Sequence, residues 1–254
     1  MKVLSFYLRG KMAHFRKFYS NSSALSYFIP PRTTIVGIVA GLLGYKRDTY
    51  YEDFSLDKCK IAIASCKPIK KNMQKMNYLM IKTLNDLNGS QEYHSQTPIE
   101  LVIPQDIRTG YVDYKIWMHH RDEKIMDALG GLLNYNSALY TSLGACISLG
   151  SAFNLGWIQY DGISEVQEIC NDSEQMISSV IPVDNIKELK IIKINTNSGY
   201  KIIKEELPLE FDANRCITSR GLKEVIANIE GNSIPAVVNT FTKLDNKENI
   251  VWME

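Results

Sequence analysis

Between residues 9 and 27, Arg9, Lys11, His14, Arg16 and Lys17 are interleaved with the rings of Phe15, Phe18, Tyr19 and Tyr27. Cations hold a sugar-phosphate chain and flat rings offer faces to unstacked bases, so the mixture suits single-stranded nucleic acid. Taken singly, half of those rings are equally reasonable core residues. A second group follows at once. The segment SYFIPPRTTIVGIVAGLLG, residues 26–44, sets Arg32, Thr33 and Thr34 behind Pro30-Pro31 at the start of an apolar helix. A helix start exposes unpaired amides and the positive end of the dipole, and a guanidinium fork matches a phosphate. The prolines fix the direction of entry, and Thr33 or Thr34 can cap. Arg32, Thr33 and Thr34 thus suggest a phosphate seat, with packing as the competing explanation. For Gly37 and Gly41, which share a face of the helix, packing is the better explanation.

Acid–base chemistry has one further source. RNA cleavage without a metal needs a base for the 2′-OH, an acid for the leaving oxygen and a cation near the phosphate. The four histidines are His14, His94, His119 and His120, and the last two end an apolar run close to Lys115. Neighbours on a strand point to opposite faces, so at most one of His119 and His120 faces any given site. The expectation is one packed and one solvated. No phosphate-binding P-loop, nucleophile–base–acid set or metal-ligand cluster is recognisable. The five cysteines, Cys59, Cys66, Cys146, Cys170 and Cys216, form no CxxC pair and are odd in number. That argues against a zinc site or disulfide framework, fits a reducing cytoplasm, and leaves all five as small core residues.

The net charge of +1 conceals an asymmetry. Residues 1–47 hold eight basic side chains and no acid, and residues 58–85 add seven lysines, again without an acid. Residues 86–254 carry 14 basic and 24 acidic side chains. A basic third on a neutral protein is what a polyanion-binding face leaves in a sequence, although a merely solvated face would look the same. No apolar run reaches the length of a membrane span, and no leader-like segment opens the sequence.

These residues need a frame. Apolar alternation predicts a strand over 1–9, a helix over about 33–43 closed by Gly44, and strands over 58–69 and 76–84. Asn88-Gly89 marks a turn, and about 88–108 reads as an extended finger. A strand over 111–118, a helix over about 121–133 and short glycine-broken strands over 142–160 follow. The order is that of an α+β, ferredoxin-like βαββαβ domain over residues 1–160 with an inserted finger. A boundary is expected near Asp161-Gly162. Residues 161–254 read as a small β-rich domain with a hairpin over 186–208, turning near Asn197-Ser198-Gly199, and strands at the tail.

The stretch GKMAHFRKFYSNSSALSYFIPPRTTIVGIVAGLLG carries G-x-x-A-x-F-R, then S-Y-x-x-P-P-R-T-T, then an apolar run ending in L-L-G. In this it resembles the amino-terminal signature of the fifth family of CRISPR-associated (Cas) proteins. PIELVIPQDIRTGYVDYKIWMHH and SLGACISLG resemble later segments of that family more weakly, so the likeness covers residues 1–160 and fades beyond. It implies a subunit of a type I CRISPR surveillance complex (Cascade), most like the I-B branch, with an RRM-type ferredoxin-like domain and a smaller second domain. Such a subunit acts in antiviral defence in the cytoplasm and holds the 5′ handle of the CRISPR RNA (crRNA). It contacts the large subunit, the backbone subunits and other effector subunits, and meets target DNA only through the complex. The resemblance implies handle binding by Lys11, His14, Arg16, Arg32, Thr33 and Thr34, with Arg108 as a candidate contact at the finger. Arg9 and Lys17 join them through the charge pattern, and Ser26 and Tyr27 match the motif. It implies no cofactor, no metal, no membrane and no catalysis, a separate nuclease being expected in the I-B branch. One branch of the family is itself a metal-independent endoribonuclease, which is the alternative; a scaffold docking an acidic protein is the third reading.

Overall fold

The computed structural model describes residues 1–20, 23–78, 84, 95–134, 147–170, 173–190 and 199–254. Strand β1 (Lys2–Gly10) buries Leu4, Phe6 and Leu8 and turns Tyr7 and Arg9 to the other face, as period-two alternation requires. After β1, β2 (Phe15–Arg16) pairs with β3 (Ser26–Tyr27), and α1 (Arg32–Leu42) follows. Next come β4 (Cys59–Ser65), a long antiparallel hairpin of β5 (Ile69–Tyr78) and β6 (Ser95–Pro104), and β7 (Val112–His120). Helix α2 (Glu123–Asn134), β8 (Ile147–Ser148) and β9 (Leu155–Glu165) complete this half. Five of these strands form one antiparallel sheet in the order β4-β7-β1-β9-β8.

The expected α+β, ferredoxin-like βαββαβ domain of RRM type is overturned. Among the described residues the chain is mostly strand, 46% against 13% helix, with two α-helices, and the sheet curls into an antiparallel half-barrel. The reason lies in details that periodicity does not reveal. The β1–β9 register slips between Ser5 and Phe6, and such a bulge bends a strand and increases its twist. The β2–β3 ladder and the β5–β6 hairpin are further strand pairs outside that sheet.

Individual elements match their expectations more closely. Helix α1 buries Ile35, Val36, Val39, Ala40 and Leu42. It ends as expected at Gly44 (φ +80°), whose amide donates to the Gly41 carbonyl at 3.1 Å while that of Tyr45 donates to Ala40 at 2.9 Å. Its start differs: Pro31 occupies the cap position and no side chain caps it, so neither threonine serves there. The finger is rooted earlier than residue 88, because its arms pair from Ile69↔Pro104 to Tyr78↔Ser95. Its predicted Asn88-Gly89 turn lies outside the described residues, as do His94 and Cys146.

The remaining strands are β10 (Gln167–Ile169), β11 (Gln175–Ile177), β12 (Ile181–Pro182), β13 (Ile186–Leu189), β14 (Ile202–Pro208), β15 (Leu222–Asn228), β16 (Ile234–Val238), β17 (Phe241–Lys243) and β18 (Asn249–Ile250). They make a sheet β10-β17-β18-β11-β16-β13 and a smaller one, β12-β15-β14. Among the described residues, β13 and β14 of the hairpin expected over 186–208 do not pair with each other: β13 pairs with β16 and β14 with β15, and the Asn197-Ser198 part of the expected turn lies outside the described residues. Strand β9 runs through Asp161-Gly162 to Glu165, so the chain leaves the first sheet at Val166.

The two halves share a core. Leu207, Leu209, Val225, Ala227 and Met253 belong to the same buried cluster as Leu4, Phe6, Val39 and Ile61. The outer edge of β4 is sealed by distant chain, the amides of Val180 and Met253 donating to Ile63 and Ile61 at 2.7 and 2.9 Å. Lys115 bridges the halves, its ammonium lying 2.9 Å from Glu248 and 3.1 Å from Asp161. Of the cysteines expected in the core, Cys59 is buried and Cys66 half-buried, whereas Cys170 and Cys216 are exposed. No helix among the described residues is long and apolar enough to cross a membrane.

Candidate nucleic-acid interface

The loop after β1 is held against the root of the finger. The Ala13 amide donates to Val102 at 2.9 Å and the Ala24 amide to Pro98 at 2.9 Å. On its other side the His14 amide donates to Leu149, also at 2.9 Å. His14 is buried, with Nδ1 2.8 Å from the Glu100 carbonyl. Next to it Gly150 adopts φ +87°, and a Cβ there would sit 1.9 Å from the His14 carbonyl oxygen, so only glycine fits.

These segments line an open groove of about 480 Å³ whose walls include His14, Phe15, Arg16, Thr34, Gly150 and Ser151. Arg16 is exposed and gives one donor to the Ser20 carbonyl at 3.0 Å; a guanidinium carries five N–H groups, so others remain for a ligand. Thr34 belongs to the first turn of α1, where amide dipoles favour an anion. Both halves of the sequence motif therefore meet on one concavity. Its far wall comes from Gly150 and Ser151, which residue-type reasoning missed; the Leu149-Gly150 pair was the available signal.

Other predicted contacts lie elsewhere. Arg32 is 1% exposed and donates to the carbonyls of Leu209 (2.8 Å), Phe54 (2.8 Å), Ser55 (3.2 Å) and Cys59 (2.6 Å). Burial lowers its pKa, against the pull of Cys59 and Glu210. The expected phosphate fork is thus corrected to an internal brace between α1, the turn before β4 and the end of β14. Thr33 is half-buried, its hydroxyl 3.4 Å from the Pro208 carbonyl. Ser26 is fully buried, accepting from the Phe15 amide at 2.9 Å and donating to the Tyr27 carbonyl at 2.8 Å. Tyr27 is also fully buried, its phenol pushed up by burial. Both are inside the protein, away from any ligand surface.

Lys17 lies 3.4 Å from Glu205. Burial works against its charge, but Tyr19 and Glu205 hold its pKa above the ordinary lysine value. Arg9 is paired with Asp113 at 2.8 Å on the outer face of β1. Lys11 donates to the Gly110 carbonyl at 3.0 Å, and Arg108 is exposed in the same turn. The side chains expected in one cradle are therefore divided: His14 and Arg16 line the groove, Lys17 is paired with Glu205, and Arg9, Lys11 and Arg108 gather near the turn before β7.

The histidine pair divides as strand geometry dictates. His120 is buried, its Nδ1 accepting from the Asp122 amide at 2.9 Å and its Nε2 lying 2.8 Å from the Asp53 carbonyl. His119 lies on the opposite face, half-buried, with Nδ1 2.8 Å from the Lys2 carbonyl and its pKa lowered by burial. Among the described residues no group of His, Cys, Asp and Glu could hold a metal ion.

No protein-family model matches the chain, and no curated protein is similar to it in sequence at a significant level. The fold is similar to that of "Crystal structure of a CRISPR protein from Archaeoglobus fulgidus", with a TM-score of 0.58 over 98% of each chain at 10% identity. Two weaker likenesses have TM-scores of 0.46. One is "Cryo-EM structure of the Type III-B Cmr-beta bound to cognate target RNA and AMPPnP, state 1", at 13% identity over 92% of this chain and 86% of that one. The other is "CRISPR RNA-guided surveillance complex", at 10% identity over 97% and 93%.

Proposed function

We propose that the chain is a non-catalytic RNA-binding subunit of a CRISPR effector complex, of the type I, I-B-like kind, that holds the 5′ handle of the crRNA in antiviral defence. The observation that carries this is the groove itself. Arg16, from the G-x-x-A-x-F-R half of the motif, and Thr34, from the P-P-R-T-T half, face one concavity beside the first turn of α1. Phosphates of a splayed RNA end would meet the Arg16 guanidinium and the dipole of α1. The end-to-end likeness to a CRISPR protein gives independent support for the fold on which this reading rests. The finger and the acidic remainder of the chain are the surfaces through which backbone and large subunits would be joined.

The experiment is RNA binding across salt concentration with the 5′ segment of a repeat-derived crRNA. Arg16→Ala combined with Thr34→Val is expected to weaken binding several-fold. It should also flatten the plot of log affinity against log salt by about 0.7 for each phosphate that is no longer neutralised. Unchanged affinity and slope would overturn the assignment. For the non-catalytic part, repeat RNA incubated with the protein in EDTA is expected to stay intact, and a discrete cleavage product would overturn it.

A further inference from the structure

The face of the five-stranded sheet turned away from α1 and α2 is divided. One half, with Val3, Ala62, Ala64 and Trp117, is covered by Val166, Leu244, Ile250 and Trp252 from the carboxy-terminal half of the chain. The other half is open and carries aromatic rings set among cations. Tyr7 and Arg9 of β1 stand opposite Gln159 and Trp157 of β9. Tyr111, just before β7, has its ring centroid 5.7 Å from that of Trp157.

The Arg9 guanidinium carbon lies 4.6 Å from the Tyr7 centroid and 5.4 Å from that of Tyr111, and the Lys67 ammonium lies 3.5 Å from the latter. Trp157 is 43% exposed, whereas Trp117 and Trp252 are 1% and 4% exposed. Lys11 and Lys70 are tethered to this rim through the carbonyls of Gly110 and Gln105, both at 3.0 Å, and Arg108 stands in the same turn. The carboxylates beside the rim are engaged: Asp113 is held by Arg9, and Asp106 accepts from the Arg108 amide at 2.9 Å.

We infer that this open half-face is a second single-stranded RNA surface, with Trp157 as the stacking platform, backed by Tyr111, and Lys11, Lys67 and Arg108 as phosphate contacts. A large ring left open on a folded sheet wants a flat apolar partner, and a cationic rim selects one that brings negative charge. An unpaired nucleotide offers both, its base to the ring and its phosphate to the rim. Duplex RNA does not, since its bases are already stacked. The inference rests on the proposal that the chain binds RNA, but it concerns a surface that none of the groove residues touch.

The test exploits the one exposed tryptophan of the three. The full-length protein is titrated with an unstructured ten-nucleotide RNA while its intrinsic fluorescence is followed. Stacking on Trp157 is expected to quench the solvent-exposed part of the emission, and Trp157→Phe should abolish the quench while leaving affinity within about two-fold. Trp157→Ala is expected to weaken binding by roughly 5- to 100-fold, the range for loss of one stacked base. Lys67→Ala should lower the salt slope by about 0.7. Arg16→Ala in the groove should leave the quench amplitude intact at saturation.

Quenching that persists in Trp157→Phe, or an affinity unmoved by Trp157→Ala, overturns the platform and leaves the groove assignment standing. Loss of RNA affinity in Arg16→Ala together with an intact Trp157 response supports two separable surfaces. RNA that binds with no tryptophan response overturns the platform alone. A chain that binds no RNA at all overturns both proposals.

Discussion

A guanidinium that donates to four backbone carbonyls from inside the protein acts as a bolt. Removing Arg32 would leave the acceptors of Leu209, Phe54, Ser55 and Cys59 bare and open a void between α1 and β14. Arg32→Ala is therefore expected to destabilise the fold by about 3 to 5 kcal/mol, read as a lower urea midpoint. Arg32→Lys should recover only part of that, since a single ammonium cannot span the same set of acceptors. If the phosphate reading of Arg32 held instead, the variant would fold normally and lose RNA affinity.

The thiols give a second test of the same kind. Burial pushes Cys59 up to about 11 and Cys66 up to about 12, so neither ionises near neutrality. Iodoacetamide at pH 8, followed by peptide mapping, is expected to label the exposed Cys170 and Cys216 and spare Cys59 and Cys66. Modification of Cys59 in native protein would contradict its burial.

The turn after β8 shows how one glycine can shape a groove. At Gly150 both the positive φ and the 1.9 Å approach to the His14 carbonyl exclude a side chain. Gly150→Ala is expected to cost about 2 kcal/mol or more and to displace Ser151 from the groove wall, with RNA affinity falling alongside stability. The Gly44 cap shows the readable side of such chemistry, because its position after an apolar run identifies the helix end unaided. The helix start is less transparent: Pro31, with no side-chain oxygen, takes the cap position expected of Thr33 or Thr34. Strands β1, β7 and β16 to β18 could be read from alternation. Their partners could not: β13 and β14 are close in sequence yet belong to different sheets, and only long-range register decides that.

At the scale of the whole molecule, the two halves depend on each other through both apolar and charged contacts. Lys115 is the charged link. Burial works against its ammonium, but Glu248 and Asp161 outweigh it and raise its pKa above the ordinary value. A raised lysine contributes stability that is complete below the unfolded value of about 10.4 and fades as pH climbs through the folded one. The difference in unfolding free energy between wild type and Lys115→Met is thus expected to be about 2 kcal/mol, flat from pH 7 to about 10 and shrinking above that. A difference that vanished at pH 8 would exclude the clamp.

The charge asymmetry, by contrast, falls between residues 85 and 86 and marks no boundary in the core. Charge changes sign along the sequence, whereas Leu207, Leu209 and Met253 have no mark that assigns them to a cluster built mostly from earlier residues. The basic third likewise suggests a polyanion-binding face without revealing that its side chains divide between a groove and a sheet face.

The sealed edge of β4 carries a consequence for biosynthesis. Met253 donates to Ile61, and Lys60 meets Glu254 across 194 positions of sequence. A chain leaving the ribosome amino end first must hold that edge open until Val180 and then Met253 have been made. An unsealed strand edge invites pairing with another nascent copy, so a pause in translation before residue 253 should raise aggregation.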